Sequence, residues 1–156
     1  MSLLDNVALA SGGKKLLSPF WALMVQKRFD ERELARELLI QVGLEDHLEK
    51  LPSELPLGYL KRLEVARALA LQPSLLLLDE PLAGLSKPEA EQMADLISNL
   101  PRIGLSVILI EHNLPQVQRI CPTLYVQSNG RQLAFGATNE VMDDPAVRQA
   151  YLGVGA

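Results

Sequence analysis

The chain has 156 residues, 48% of them hydrophobic and only 4% aromatic, enough for one compact domain with a core of Leu, Val, Ile and Ala. A formal net charge of −4 argues against a broad nucleic-acid footprint, and the single Cys121 excludes an internal disulfide and fits a reducing compartment. No window reaches the ~18 uninterrupted apolar residues of a membrane span, and Met1–Ala10 lacks the basic flank of a secretory signal, so there is no direct membrane insertion and any membrane role comes through a partner.

In chain order, Leu3 to Leu9 is a short apolar stretch and Ser11-Gly12-Gly13-Lys14-Lys15 reads as a loop. Ser18-Pro19-Phe20-Trp21 reads as a helix entry or exposed connector. Asp30 to Val42 is a predicted helix: Leu34, Leu38 and Leu39 recur at helical spacing among charged residues, with Asp30 as N-cap and Gly43 as the stop. Leu44 to Leu51 suggests a short second helix ended by Pro52, and His47 in its acidic setting reads as a surface residue. Leu55 to Leu60 is turn-like and leads into a helix from about Leu60 to Leu71, stopped at Gln72-Pro73. Its apolar face is Leu60, Leu63, Ala66, Leu69 and Ala70, with Arg62 and Arg67 expected to be solvated or paired with Glu64 and neighbouring acids.

Leu75 to Leu78 reads as a strand buried on both faces, and Ser106 to Ile110 as a second buried strand ending at Glu111-His112. Between them, Pro88 to Leu100 is a helix with proline in its first turn. Leu114 to Ile120 is helical. Leu124 to Gln127 and Arg131 to Phe135 flank Ser128-Asn129-Gly130, a hairpin signal, and Asn139 to Leu152 closes the chain as helix.

Asp79-Glu80 sits where the leucine strand ends, and parallel α/β sheets bind ligands at the carboxyl ends of their strands. Two adjacent acids there suit a Mg²⁺-nucleotide site: one holds the metal through water and the other polarises an attacking water.

The ordered set of Leu55–Leu69, Leu77-Leu78-Asp79-Glu80-Pro81-Leu82-Ala83-Gly84-Leu85 and Glu111-His112 resembles the later part of an ATP-binding cassette (ABC) transporter ATPase. Leu-Gly-Tyr-Leu-Lys-Arg-Leu-Glu-Val-Ala-Arg-Ala-Leu and the ending from Phe135-Gly136-Ala137-Thr138 to Gly153 are similar to the branched-chain amino acid importer branch. The resemblance implies an α/β fold: a helical subdomain plus the C-terminal part of a P-loop NTPase (RecA-like) core with a mostly parallel sheet, incomplete. It divides the chain into a residual N-terminal segment (1–18), a helical signature subdomain (19–72) and a partial ATPase core (73–156). By the same resemblance Asp79 orders Mg²⁺ and Glu80 is the catalytic base or water-positioning carboxylate. His112 is the switch histidine, and Ala83–Ser86 is the D-loop at the dimer interface.

Leu55, Pro56, Leu57, Gly58 and Tyr59 align with the family signature, usually Leu-Ser-Gly-Gly-Gln, which presents a helix N-terminus to phosphate on the opposing subunit. Only Leu55 and Gly58 match, and Pro56 removes both a hydroxyl and an N–H. A P-loop reads Gly, four residues, then Gly-Lys-Ser/Thr. Gly12-Gly13-Lys14-Lys15 fails that pattern: Ala8 takes the first glycine position and Lys15 that of the metal-binding hydroxyl. No residue fills the Gln-loop either, Gln26 coming too late, so the chain reads as beginning inside the family domain.

The implied cofactors are ATP and Mg²⁺, bound weakly or not at all by the isolated chain. The implied partners are a second ATP-binding subunit and transmembrane permease subunits, at the cytoplasmic inner face of the plasma membrane. The implied work is ATP hydrolysis driving amino acid import. The alternatives are a non-hydrolytic binding or regulatory module and an inactive fragment.

Overall fold

Helix α1 (Leu3–Leu16) opens the chain in the computed structural model, which describes residues 1–16 and 31–151. The expected helix entry at Ser18–Trp21, the Asp30 cap, Gln26 and the segment from Leu152 onward lie outside those residues. The Ser2 hydroxyl accepts the Asp5 N–H (3.2 Å), while the first amides of Leu3 and Leu4 donate to Lys50 and Leu48 carbonyls, both at 3.0 Å. The orphan donors of this helix end are thus satisfied by tertiary contacts. Leu3, Leu4 and Val7 are fully buried against α2 and α3. The helix runs through Ser11-Gly12-Gly13-Lys14-Lys15, where a loop was expected. Two glycines weaken a helix by about 1 kcal/mol each, and the packing of its first two turns outweighs that.

Helix α2 (Glu31–Gln41) buries Ala35, Leu38 and Leu39. It stops as predicted at Gly43, whose φ is +71°. Leu44 N–H donates to Leu39 O (2.8 Å) and Gly43 N–H to Ile40 O (2.9 Å), the paired bonds of a Schellman cap. The expected second helix over Leu44–Leu51 is only a 3₁₀ turn at Glu45–His47, and Pro52 opens a further 3₁₀ turn, Pro52–Glu54. Helix α3 (Leu57–Ala70) starts three residues before the predicted Leu60, directly after the extended Pro56. Gly58 and Tyr59 therefore belong to a helical first turn. Gln72, at φ +47°, ends this helix as expected.

Strands β1 (Leu75–Asp79) and β2 (Ser106–Ile110) pair in parallel, with Leu75 opposite Ser106, Leu77 opposite Ile108 and Asp79 opposite Ile110. Between them lies helix α4 (Lys87–Asn99), burying Ala90, Met93, Ala94 and Ile97 at helical spacing. A 3₁₀ turn (Leu100–Ile103) and the left-handed Gly104 return the chain to β2. The expectation of two-sided burial is corrected here. Leu76 is buried and Leu78, Val107 and Leu109 are half-buried, but Leu75, Leu77, Ile108 and Ile110 on the other face are exposed. Among the described residues one face of the ladder is covered and the other is open, so alternate side chains look outward.

The chain divides into two compact units, Met1–Ile110 and Glu111–Ala156. In the second, helix α5 (Leu114–Ile120) precedes an antiparallel hairpin of β3 (Thr123–Ser128) and β4 (Arg131–Ala137). Asn129 and Gly130, both at positive φ, make its tight turn, as their sequence predicts. The expected terminal helix is two: α6 (Thr138–Asp143) and α7 (Pro145–Tyr151), separated at Asp144-Pro145. Asp144 Oδ1 accepts the Ala146 N–H (2.7 Å) and so starts the second helix. Tyr151 ties back to the hairpin by donating to Gln127 O (2.6 Å). The fold is α/β with a partial parallel sheet.

Candidate functional site

The carboxyl end of β1 carries Asp79 and Glu80, both exposed. The ladder extends one bond past the strand, because Glu80 N–H donates to Ile110 O (2.9 Å). Glu80 itself is left-handed, with φ +45°. That region costs a residue with a Cβ roughly 1–2 kcal/mol, so surrounding contacts must hold it. Its carbonyl accepts from Ala83 N–H (3.1 Å) and from Lys61 Nζ on α3 (3.1 Å). The following Pro81 and Leu82 are buried and anchor the turn. The acid pair is thus presented on a backbone pinned from the neighbouring strand, from its own turn and from α3.

No group of three or more His, Cys, Asp or Glu that could hold a metal ion occurs among the described residues. Two exposed carboxylates are too few for a protein-only metal cage, and a hard cation held by them would take most of its ligands from water or phosphate oxygens.

The segment Leu55–Tyr59 straddles the start of α3. Leu55 is buried, Pro56 is the extended N-cap, and Leu57 and Gly58 begin the helix. Tyr59 and Leu60 amides turn inward to Pro56 O, at 3.1 and 3.2 Å. Gly58 is buried, and a Cβ built on it would lie 2.8 Å from Glu89 Oε1. Gly84, at φ +77°, is equally confined: its Cβ would meet Leu57 Cδ2 at 3.0 Å. The signature-like segment and Ala83–Ser86 are thus packed together, as neighbours in one unit.

Tyr59 does not extend from the helix end. Its ring meets His47 edge-on, with centroids 4.8 Å apart, and the Arg62 guanidinium lies 5.7 Å from its centroid. His47, read from sequence as a surface residue, is partly buried; its Nδ1 is buried without a hydrogen-bond partner among the described residues. Arg62 is half-buried, and beyond the expected influence on neighbouring acids, seen at Glu89, it donates to Val42 O (3.3 Å) and to Gln92 Oε1 (2.6 Å). It therefore links the end of α2 to α4.

Lys61 and Glu89 were missed as site residues. Glu89 had a signal in the spacing Ser86-x-x-Glu89, a capping-box pattern. Its Oε2 accepts the Ser86 N–H (2.9 Å) and hydroxyl (2.5 Å), bonds that hold its carboxyl below the usual carboxylate range. Lys61 bonds a backbone carbonyl and had no such signal.

His112 is the second residue of the second unit. It is exposed, its N–H donates to Glu111 Oε2 (3.1 Å), and its carbonyl accepts Leu114 N–H (3.0 Å) in the turn before α5. A concavity of about 330 Å³ in the same unit, lined by Arg119, Cys121, Thr138 and neighbours, contains none of the expected site residues. Burial pushes the half-buried Cys121 thiol up, which keeps it protonated at neutral pH and unsuited to nucleophilic work.

The family model described as ABC transporter matches residues 3–83. LivG of Salmonella typhimurium, the high-affinity branched-chain amino acid transport ATP-binding protein, is 33% identical over 98% of this chain and 62% of its own length. LptB of Acidithiobacillus ferridurans, a lipopolysaccharide export system ATP-binding protein, is 36% identical over 80% of this chain and 52% of its own. A solved ATP-binding cassette of an ABC transporter in its ADP conformation superimposes with a TM-score of 0.79 and 29% identity, over 98% of this chain and 63% of that one. The chain thus spans just over three fifths of LivG and of the solved cassette. Relatives of different transport systems match it alike, and what they share is the ATP-binding domain. With a parallel ladder ending in Asp79-Glu80 and a family match over residues 3–83, the chain belongs to the ABC transporter ATP-binding domain family.

Proposed function

We propose that the chain is the partial ATP-binding and ATP-hydrolysing subunit of an ABC importer of amino acids. The observation that carries this is the pinned Asp79-Glu80 turn at the carboxyl end of a parallel strand. The 98% coverage of this chain by LivG supports the amino acid class. In this reading Asp79 would hold a nucleotide-borne Mg²⁺, which neutralises phosphate charge when bound. Glu80 accepts a proton from the attacking water, and its fixed backbone limits where that carboxylate can reach. His112 donates to phosphate oxygen, and the first amides of α3 at Leu57 and Gly58 face phosphate of the opposing subunit. Leu55, Pro56 and Tyr59 shape that end: Pro56 offers no donor, and the Tyr59 ring is engaged with His47 and Arg62. The partners are a second ATP-binding subunit and permease subunits, at the cytoplasmic face of the plasma membrane.

The isolated chain binds ATP poorly in this reading. No Gly-rich phosphate loop is available from the described residues: Gly12-Gly13-Lys14-Lys15 lies within helix α1 and not in a loop between strand and helix. Asp79 and Glu80 by themselves repel a polyphosphate. Calorimetric titration with Mg²⁺-ATP should give no binding in the low-micromolar range, and such binding would sink this part of the reading. In a reconstituted transporter containing the chain, Glu80→Gln should abolish turnover; unchanged turnover would favour a non-hydrolytic module.

The Glu89 carboxylate lies against Gly58, and an acid beside the helix start opposes phosphate there in either reading, so the first reading rests on Asp79-Glu80 and not on the α3 end.

A further inference from the structure

Glu80 has a backbone that its own residue type and its successor both disfavour. At φ +45° it lies in the left-handed region. It also precedes Pro81, and a residue before proline favours extended backbone instead. The peptide that joins the two has no N–H, so hydrogen bonding can orient it only through its acceptor, the Glu80 carbonyl. Ala83 N–H and Lys61 Nζ both reach that oxygen, at 3.1 Å each. The first donor is main chain of the same turn, which any sequence with this turn supplies. The second is a side chain from another element.

Lys61 reaches the turn from a seated helix. Leu57 and Lys61 stand four residues apart on α3 and so share a face. Leu57 Cδ2 lies against Gly84, where a Cβ would come within 3.0 Å of it, and Lys61 bonds Glu80. One face of α3 thus touches both ends of the turn 80–84. Beside these positions, Gly58 packs on Glu89, and Arg62 donates to Val42 O and Gln92 Oε1. The helix that carries Lys61 is therefore itself held in place. The φ of Glu80 decides where its Cβ points, and the carboxylate follows. Relaxation to the extended backbone that Pro81 favours would turn that side chain elsewhere.

We infer that Lys61 is a positioning residue for the Glu80 carboxylate. By bonding the Glu80 carbonyl it holds the left-handed backbone that aims this carboxylate at the attacking water. It acts through the main chain of Glu80 and not by contact with substrate. The catalytic half of this inference rests on the ATP-hydrolysis reading, while the backbone half stands on the geometry of α3 and the turn.

The test compares Lys61→Met and Lys61→Arg with the native full chain. Methionine keeps an unbranched apolar stem and loses the donor; arginine keeps the charge and the donors. Lys61 is only partly buried, so both variants should retain the native circular dichroism. In isotope-labelled chain, the amide-to-Hα coupling and the Cβ chemical shift of Glu80 report its backbone. Lys61→Met should move both toward extended values and speed exchange of the Ala83 amide, and Lys61→Arg should restore them. In a Glu80→Gly background, where positive φ needs no support, Lys61→Met should lower the urea midpoint less than it does with Glu80 present. In a reconstituted transporter containing the chain, Lys61→Met should lower kcat for ATP at least about 10-fold with KM unchanged, and Lys61→Arg should recover most of it. Unmoved Glu80 resonances, a shift that arginine does not reverse, or equal midpoint losses in the two backgrounds would each overturn the inference. So would a loss carried by KM, or an undiminished kcat in a transporter that Glu80→Gln inactivates. A transporter without turnover, or one indifferent to Glu80→Gln, removes the hydrolysis reading and the catalytic half with it; the backbone link is then decided by the resonances alone.

Discussion

Gly58 and Glu89 are packed so closely that a methyl group on Gly58 would lie 2.8 Å from Glu89 Oε1. The other carboxylate oxygen of Glu89 is committed to the Ser86 amide and hydroxyl. One side chain thus faces the start of α3 and caps the start of α4. Gly→Ala in a helix ordinarily gains up to about 1 kcal/mol. Gly58→Ala should instead lower stability in the native chain, because Glu89 must swing away from Ser86 to admit the methyl group. In a Glu89→Ala background the same change should become stabilising. Urea unfolding of the four-member cycle reads the change of sign; additive effects would show that the two residues are not coupled.

The same carboxylate predicts an acid dependence. The Ser86 hydroxyl and amide bonds, aided by the charge of Arg62, lower the Glu89 pKa. The unfolded chain then binds the proton more readily than the folded one, so this contribution is present above the ordinary carboxylate range, about pH 4. It is lost as pH falls through the lower folded-state value. Unfolding midpoints measured from pH 6 down to 3 should drop less in Ser86→Ala than in the native chain. Equal slopes would sink the assignment.

Glu80 stands in left-handed backbone at φ +45°, held by Ile110 O, Ala83 N–H and Lys61 Nζ. A residue there that carries a Cβ stores strain that glycine relieves. Glu80→Gly should therefore be about 1 kcal/mol more stable than Glu80→Ala, although both lack the carboxylate. Thermal or urea unfolding of the two variants decides it. Equal stabilities would mean that the turn relaxes once the side chain is removed.

The local features were legible because their causes are local. Gly43 stops α2, Pro88 opens α4, and Asn129-Gly130 turns the hairpin, each by the conformations those residues favour. Asp79-Glu80 fell at the end of β1 because an apolar run followed by charge marks where a buried strand emerges. The misreadings share one origin, contacts made across the chain. Gly12-Gly13 carries a loop signal, but α1 continues through it because its first turns are packed on α2 and α3. Pro56-Leu57-Gly58 carries a turn signal, but it is the first turn of a helix seated on Glu89. Leu75–Leu78 and Ser106–Ile110 predict burial on two faces, but the described residues cover only one, and an uninterrupted apolar run does not distinguish the two cases. The Lys61 bond to the Glu80 carbonyl had no signal at all, since any residue presents a carbonyl.

Arg62 is the last of these long-range contacts and the one most open to measurement. Its guanidinium donates to the Val42 carbonyl beyond α2 and to Gln92 on α4, and it lies near the Tyr59 ring that also meets His47. Gly43 makes room for it, since a Cβ there would sit 2.8 Å from Arg62 Nη1. A planar fork is suited to bonding two elements at once, and an ammonium is not. Hydrogen bonds from charged donors contribute about 1.5–3 kcal/mol each when well ordered, and partial exposure here reduces that. Arg62→Met should cost about 1–3 kcal/mol, and Arg62→Lys should recover less than half of it. Full recovery by lysine would show that charge alone matters and that the two-element link does not. Hydrogen exchange gives the sharper readout: the Gly43 and Leu44 amides that cap α2 should lose protection in Arg62→Met before the α4 core does, because Arg62 holds the carbonyl immediately before that cap.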